Sequence, residues 1–369
     1  MGIALLANVA FRGALTSPGP LKLLATEVPN LAIGTFPFTF IPGLMVPLAL
    51  VLHLLAIRAL RMRMQYAPID PKRKIDAAYP PLQAGDSTQV APQCTSPSEK
   101  YKGTAASYQF PNLTARLFIE DMRFSPEDAT PGSSAPDSIV YALEGHPISS
   151  RELLAGHTSL IFFGSASCPM TFGSIEPLRD LYEKYGQQVQ FIMLAVREAH
   201  PAENLKQPQE MDLKLKHACE LATSAAAPWK TVVDSIDGAL HRALAAKPNA
   251  AFLIGPDGTV LFRALWAGDK TGLDAALEDA TQGRAVRHPT RTALFRPLIL
   301  SLGYFDAILT RSGPQARKDL WHAFPPVAFL AWTTSLFKGL LAAKRGSVAI
   351  GVLTGIIVVM INSVTHFSP

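Results

Sequence analysis

The chain of 369 residues has no Cys-x-x-Cys pair. It holds three cysteines, Cys94, Cys168 and Cys219, with no even framework. This excludes a disulfide-dense scaffold and an adjacent dithiol couple. No His, Cys, Asp and Glu cluster has metal-ligand spacing, so no metal is expected, and no internal repeat is visible. Charged residues are scarce, at 17%. The first thirty residues lack the basic start and cleavage site of a signal peptide. The formal charge of +5 does not indicate nucleic acid, because the basic residues cluster beside long apolar runs, where anionic lipid headgroups account for them.

The missing charge is concentrated in two runs. Leu31 to Ile57 and Gly346 to Phe367 contain no Asp, Glu, Lys or Arg. Each reaches the roughly 20 residues a helix needs to cross a bilayer. One transmembrane helix is expected at about 36–57, kinked by Pro37, Pro42 and Pro47, and a second at 346–369. Arg58, Arg61, Arg63, Lys72, Arg73 and Lys74 follow the first run, and Lys338, Lys344 and Arg345 precede the last. Both basic flanks lie on the side of the central region, which places that region in the cytoplasm. The apolar stretch from Phe324 to Leu336, headed by Pro325-Pro326 with Trp321, Trp332 and Lys338 around it, reads as an interfacial helix, with a third span as the alternative.

Five segments follow: an N-terminal membrane region (1–65), a Pro- and Ser-rich linker (66–105), a globular domain (106–283), a basic juxtamembrane and interfacial segment (284–345) and the C-terminal span (346–369). In the globular domain strands are expected at Ser138–Leu143, Ser159–Phe163, Val189–Val196, Thr231–Val233, Asn249–Ile254 and Thr259–Leu265. Helices are expected from Cys168 to about Tyr185, at Gln209–Ser224, at Asp237–Ala246 and at Gly272–Thr281. Gly255-Pro256-Asp257-Gly258 is a hairpin turn. Strands alternating with helices, then a hairpin and a helix, describe an α/β sheet with a mixed edge. This order predicts a thioredoxin-like fold with flanking transmembrane helices.

The stretch Phe163-Gly164-Ser165-Ala166-Ser167-Cys168-Pro169-Met170 carries the chemistry. It puts a cysteine at a strand-to-helix junction, where free N–H groups and the helix dipole favour thiolate over thiol. Pro169 suits the first helical turn. Cys168 is therefore the candidate nucleophile. Glu198 and His200 follow the next strand, at the strand ends that carry sites in open α/β sheets, and a histidine there can move the proton that thiol chemistry needs. Ser165 and Ser167 are candidates to hydrogen-bond the sulfur or a substrate atom. Cys219, inside a helix pattern, reads as core packing, Cys94 as an exposed bystander, and His146, His157, His217 and His241 receive no role.

Four stretches resemble the iodothyronine deiodinases, a family of thioredoxin-fold membrane proteins: Gly132–Asp137, the Cys168 loop, Val196-Arg197-Glu198-Ala199-His200-Pro201, and Trp229–Asp234 with Lys247-Pro248 and the Phe252–Arg263 hairpin. The resemblance implies that Cys168 stands where the family has its catalytic selenocysteine, and that Glu198 and His200 serve substrate binding and proton delivery. Pro248 would shape the substrate groove opposite the sulfur. Ala166 replaces the family's extra cysteine, and Thr171 occupies the second position of a thioredoxin Cys-x-x-Cys, so no resolving thiol is adjacent. Catalytic Cys168, His200 and Glu198, with substrate contacts from Ser165, Ser167, Thr171 and Pro248, are thus expected in an oxidoreductase with no bound cofactor. Its substrate would be a small molecule or a thiol compound, attacked at a halogen, a peroxide oxygen or a disulfide sulfur. An external thiol, glutathione or a dithiol protein, would restore Cys168. Membrane lipids are the expected partners, and the resemblance implies a homodimer. The alternatives are a one-cysteine peroxidase of peroxiredoxin type and a non-catalytic thioredoxin-fold binding module at the membrane.

Overall fold

A computed structural model describes residues 108–365, with side chains to 356. The expected span at 36–57, the linker at 66–105 and Cys94 lie outside the described residues. The core is an eight-stranded mixed sheet in the order β2-β1-β5-β4-β3-β6-β7-β8. Its centre is β3 (Ser159–Gly164) beside β4 (Gln190–Ala195), paired in parallel from Ser159↔Gln190 to Gly164↔Ala195. All six β3 residues are buried, as a parallel strand covered on both faces must be. Alternation along β3 sends Leu160 and Phe162 to one face, with Phe172, Leu178, Leu181 and Leu277. Ile161 and Phe163 go to the other, with Val140, Leu240 and Leu244.

The crossover between β3 and β4 is helix α3 (Pro169–Tyr185). Helix α4 (Met211–Ala225) leads to β5 (Lys230–Asp234), which pairs in parallel with β4. After the short helix α5 (Ala239–Leu244), β6 (Ala251–Ile254) runs antiparallel to β3, and β7 (Val260–Ala264) antiparallel to β6. Helix α6 (Lys270–Thr281) closes the unit. A βαβ crossover followed by a ββα ending is the thioredoxin-like arrangement, as expected. The edges are β1 (Ile139–Ala142), hairpinned to β2 (Pro147–Ser149) and antiparallel to β5, and the two-residue β8 (Thr290–Arg291). Helices α1 (Ala115–Asp121) and α2 (Ser150–Leu154) complete the domain.

The structure differs from the sequence reading beyond residue 283. Helix α7 (Phe295–Ser312) packs into the domain. Its buried residues Ser301, Leu302, Phe305, Ile308 and Leu309 recur every three to four positions, the stripe of a core-facing helix, and Ile308 joins the α3–β3 core. Gly173 on α3 makes this approach possible, because a Cβ there would collide with the backbone and hydroxyl of Ser301. Helices α8 (Pro314–Ala323) and α9 (Pro325–Thr334) follow. Residues 108–336 and 341–347 belong to one compact unit. The C-terminal helix α10 spans Ala342–Thr365. Among the described residues no single helix is long and apolar enough to cross a membrane; Pro325–Phe337 and Ala342–Ile356 reach that length and composition only as a bent pair.

Candidate active site

Cys168 is the N-cap residue of α3, with Pro169 in the first turn, as its sequence position requires. The loop before it is held tightly. At Gly164 a Cβ would lie 2.9 Å from Thr171 Cγ2 and 3.3 Å from Met193 Sδ, so only glycine leaves the loop this path. The Ser165 N–H donates to Thr171 Oγ1 at 3.3 Å, and Ser165 Oγ accepts from the Ala199 N–H at 3.3 Å. Ser167 Oγ accepts from the His200 N–H at 3.1 Å. The loop and the segment after β4 are thereby stitched together.

Glu198 is 2% exposed and lies beneath this seam. Its Oε2 accepts from the Ser167 N–H and from Ser167 Oγ, and its Oε1 accepts from His217 Nδ1 at 2.9 Å. The Glu198 backbone is clamped by Gln207, whose Oε1 accepts from the Glu198 N–H and whose Nε2 donates to the Glu198 carbonyl. Glu198 positions the Cys168 loop and does not line the cavity described below. His217, given no role from sequence, is its second partner. Only its helical spacing on α4 relative to the buried Lys214 and Leu221 could have flagged it.

The Cys168 side chain faces an apolar cavity of about 280 Å³. His200 and Pro248 line the same cavity, as expected. Ser165, Ser167 and Thr171, expected to bind substrate, do not line it: the two serines brace the loop, and the Thr171 hydroxyl hydrogen-bonds the Cys168 sulfur. Helix α1 contributes Phe118, Ile119 and Asp121, and the C-terminal helices contribute Leu298, Phe305, Phe324 and Val327. A larger, open groove of about 520 Å³ beyond Pro201 is lined mainly by amide and proline side chains and holds no thiol; the candidate nucleophile lies in the smaller cavity.

Pro248 is held through its neighbour. His241 is fully buried, and its Nε2 donates to the Lys247 carbonyl at 2.7 Å, because a carbonyl only accepts. Nδ1 is then the acceptor of a hydrogen bond donated by the Tyr108 hydroxyl at 2.6 Å. Burial keeps this imidazole neutral by pushing its pKa well down, which fixes that tautomer.

The electrostatics correct the sequence expectation of a standing thiolate. Cys168 is 1% exposed, and burial pushes its thiol up to about 11. The Thr171 hydroxyl and the N–H groups of Thr171 and Met170 pull it back down, as a helix start should, but desolvation wins, and the Asp121 charge adds to it. The helix-end argument considered only local donors, whereas the burial comes from distant segments, notably α1 and α7. His200 moves the other way: burial lowers its pKa to about 4, against the pull of Glu198. Near neutral pH the cavity therefore holds a thiol and a neutral imidazole. His200 Nδ1 and Trp266 Nε1, from two residues that line it, are buried without a hydrogen-bond partner among the described residues. Asp121, overlooked in the sequence because α1 carries no motif, is raised to about 7 by burial, with Arg197 and Lys247 opposing.

Residues 90–266 match the family model described as iodothyronine deiodinase. No curated protein matches the chain. Among solved structures, a putative thiol:disulfide interchange protein DsbE from Chlorobium tepidum is 18% identical, with 42% of this chain and 99% of that chain covered and a TM-score of 0.34. A secreted disulfide oxidoreductase from Mycobacterium tuberculosis is 16% identical, with 38% and 94% covered and a TM-score of 0.30. A hypothetical protein from Sinorhizobium meliloti is 16% identical, with 46% and 94% covered and a TM-score of 0.36. Residues 90–266 thus resemble the iodothyronine deiodinase family over a little under half of the chain.

Proposed function

We propose that this protein is a membrane-anchored thiol oxidoreductase that reductively removes halogen from a small apolar organic molecule. The carrying observation is that Cys168 and His200 line one apolar cavity. A disulfide on a protein surface needs an exposed nucleophile, and Cys168 is buried. An apolar halogenated ring fits the hydrocarbon lining better than hydrogen peroxide does.

The step balances without an added proton. The Cys168 sulfur attacks the halogen as its proton passes to His200 Nδ1 in the same step, because neither a standing thiolate nor a standing imidazolium is favoured in the cavity. The carbon–halogen bond breaks with its electron pair staying on carbon, and His200 returns the proton to that carbon. Carbon is reduced, and sulfur is oxidised to a sulfenyl halide. A first external thiol displaces halide and forms a mixed disulfide, and a second releases the Cys168 thiol. Glutathione or a dithiol protein is the proposed reductant. The uncharged runs at 31–57 and 346–367 and their basic flanks support anchoring, with this domain on the cytoplasmic face.

The test compares iodinated phenols, hydrogen peroxide and a small disulfide, with glutathione or dithiothreitol as reductant, on the full chain and on Cys168→Ser. Iodide release lost by about 10³-fold or more in the variant is expected. Peroxide turnover alone would replace this reading with a one-cysteine peroxidase. Absence of all three activities in the unaltered chain, or their survival in the variant, would make the domain a binding module.

A further inference from the structure

Helix α9 reads Pro-Pro-Val-Ala-Phe-Leu-Ala-Trp-Thr-Thr and carries no charge. Most of one side is buried, with Val327, Ala328, Ala331 and Thr334, and Thr333 is buried beside Phe329; Val327 lines the Cys168 cavity. The other side shows Phe329, Trp332 and, one turn on, Leu336, between 43% and 52% exposed. A helix apolar all round belongs in a core or in a membrane. Trp321, Phe295 and Leu341 of the same unit are exposed as well.

The charge pattern selects the occupant. From Leu320 to the C-terminus there is no Asp or Glu, while Lys338, Lys344 and Arg345 are present. On α8, Lys318 is exposed, while Arg317, also exposed, pairs with Asp306 of α7 at 2.9 Å. Trp and Phe beside Lys and Arg, with no acid, fit the interface of an anionic bilayer. Phe324, at the α8–α9 junction, lines the cavity and is also 39% exposed. It stacks on Phe118 of α1 at 4.8 Å between ring centroids. This ring pair stands between the cavity and the outer surface.

We infer that α9 is a wall with the lipid bilayer on one side and the Cys168 cavity on the other, and that apolar substrate enters from the bilayer past Phe118 and Phe324. The inference rests on the cavity being the substrate site. It names the route and the substrate class: molecules dissolved in the hydrocarbon phase.

Access is read by labelling, not turnover, so its failure is distinct from failure of the redox reading. The full chain in nanodiscs containing phosphatidylserine is treated with N-dodecylmaleimide, which partitions into lipid, or with iodoacetamide, which does not. Labelling is counted on the Cys168 peptide by mass spectrometry. The double variant Phe329→Glu, Trp332→Glu is expected to slow dodecylmaleimide labelling about tenfold while changing iodoacetamide labelling less than about twofold. Equal effects on both reagents, or none, overturn the inference. Should the double variant unfold, the difference in emission between the unaltered chain and Trp332→Phe isolates Trp332. Acyl chains carrying bromine are expected to quench it by about half or more. A Trp332 signal indifferent to bromine overturns the inference independently.

Discussion

Ser167 and Glu198 are joined twice: the Ser167 N–H donates to Glu198 Oε2 at 2.9 Å, and Ser167 Oγ donates to the same oxygen at 2.6 Å. One carboxylate oxygen thus fixes both the backbone and the side chain of the residue before the nucleophile. Glu198→Ala leaves the Ser167 N–H and His217 Nδ1 without their acceptor in a buried place. A stability loss of about 2–4 kcal/mol is expected, together with a shifted Cys168 alkylation profile. Glu198→Gln keeps an acceptor for Ser167 and should restore most of both. Equal damage from Ala and Gln in denaturant titrations and alkylation rates would show that charge, not positioning, matters here.

The thiol pKa of about 11 gives a pH profile with a definite sign. Above neutrality the thiolate fraction grows tenfold per pH unit until the pKa is reached. Alkylation of Cys168 by iodoacetamide should therefore rise steadily from pH 7 to 10 without a plateau. Thr171→Ala removes a hydroxyl that stabilises the thiolate, so at each pH it should slow alkylation about tenfold. A plateau below pH 8 would mean the sulfur is ionised in the free protein.

Asp121 faces the same cavity and repels the thiolate once it is ionised. With its pKa near 7, it is mostly protonated below that pH and charged above it. Asp121→Asn should leave alkylation unchanged at pH 6 and raise it by about threefold at pH 9. An equal effect at both pH values would exclude an electrostatic origin.

His200 ties stability to acid. Its pKa is about 4 in the folded protein and about 6.5 when unfolded. Between those values the unfolded chain takes up a proton that the folded site refuses, so stability falls as pH drops from 6.5 to 4 and levels off below. The loss from this residue approaches about 3 kcal/mol. His200→Gln should flatten that part of the curve in denaturant melts. His241, buried and held neutral in the same way, leaves a residual slope in the variant.

The central elements were legible because their patterns are long and consistent. Ser159–Gly164, the Pro169 start, the run at Gln190–Ala195 and the Gly255–Gly258 turn all fall where the sequence places them. Cys168, His200 and Pro248 do line one cavity. What escaped the sequence depends on tertiary contact. The direction of Glu198 differs from that of His200 because the two lie on an irregular segment, with only Ala199 between them, where no period applies. His217 and Asp121 are single residues without a motif. The basic residues around 284–318 suggested a membrane surface and hid the buried stripe of α7. The same helices bury the sulfur, so the ionisation expected from the helix start was outweighed by segments far along the chain.

The most direct measurement is a single turnover without reductant. The full chain is mixed with excess iodinated phenol, and iodide is counted against Cys168 oxidation. One iodide per chain is expected, matched by one oxidised Cys168, with none from Cys168→Ser. Equal iodide from the variant, or oxidation of Cys168 without iodide, would contradict reductive dehalogenation at this sulfur.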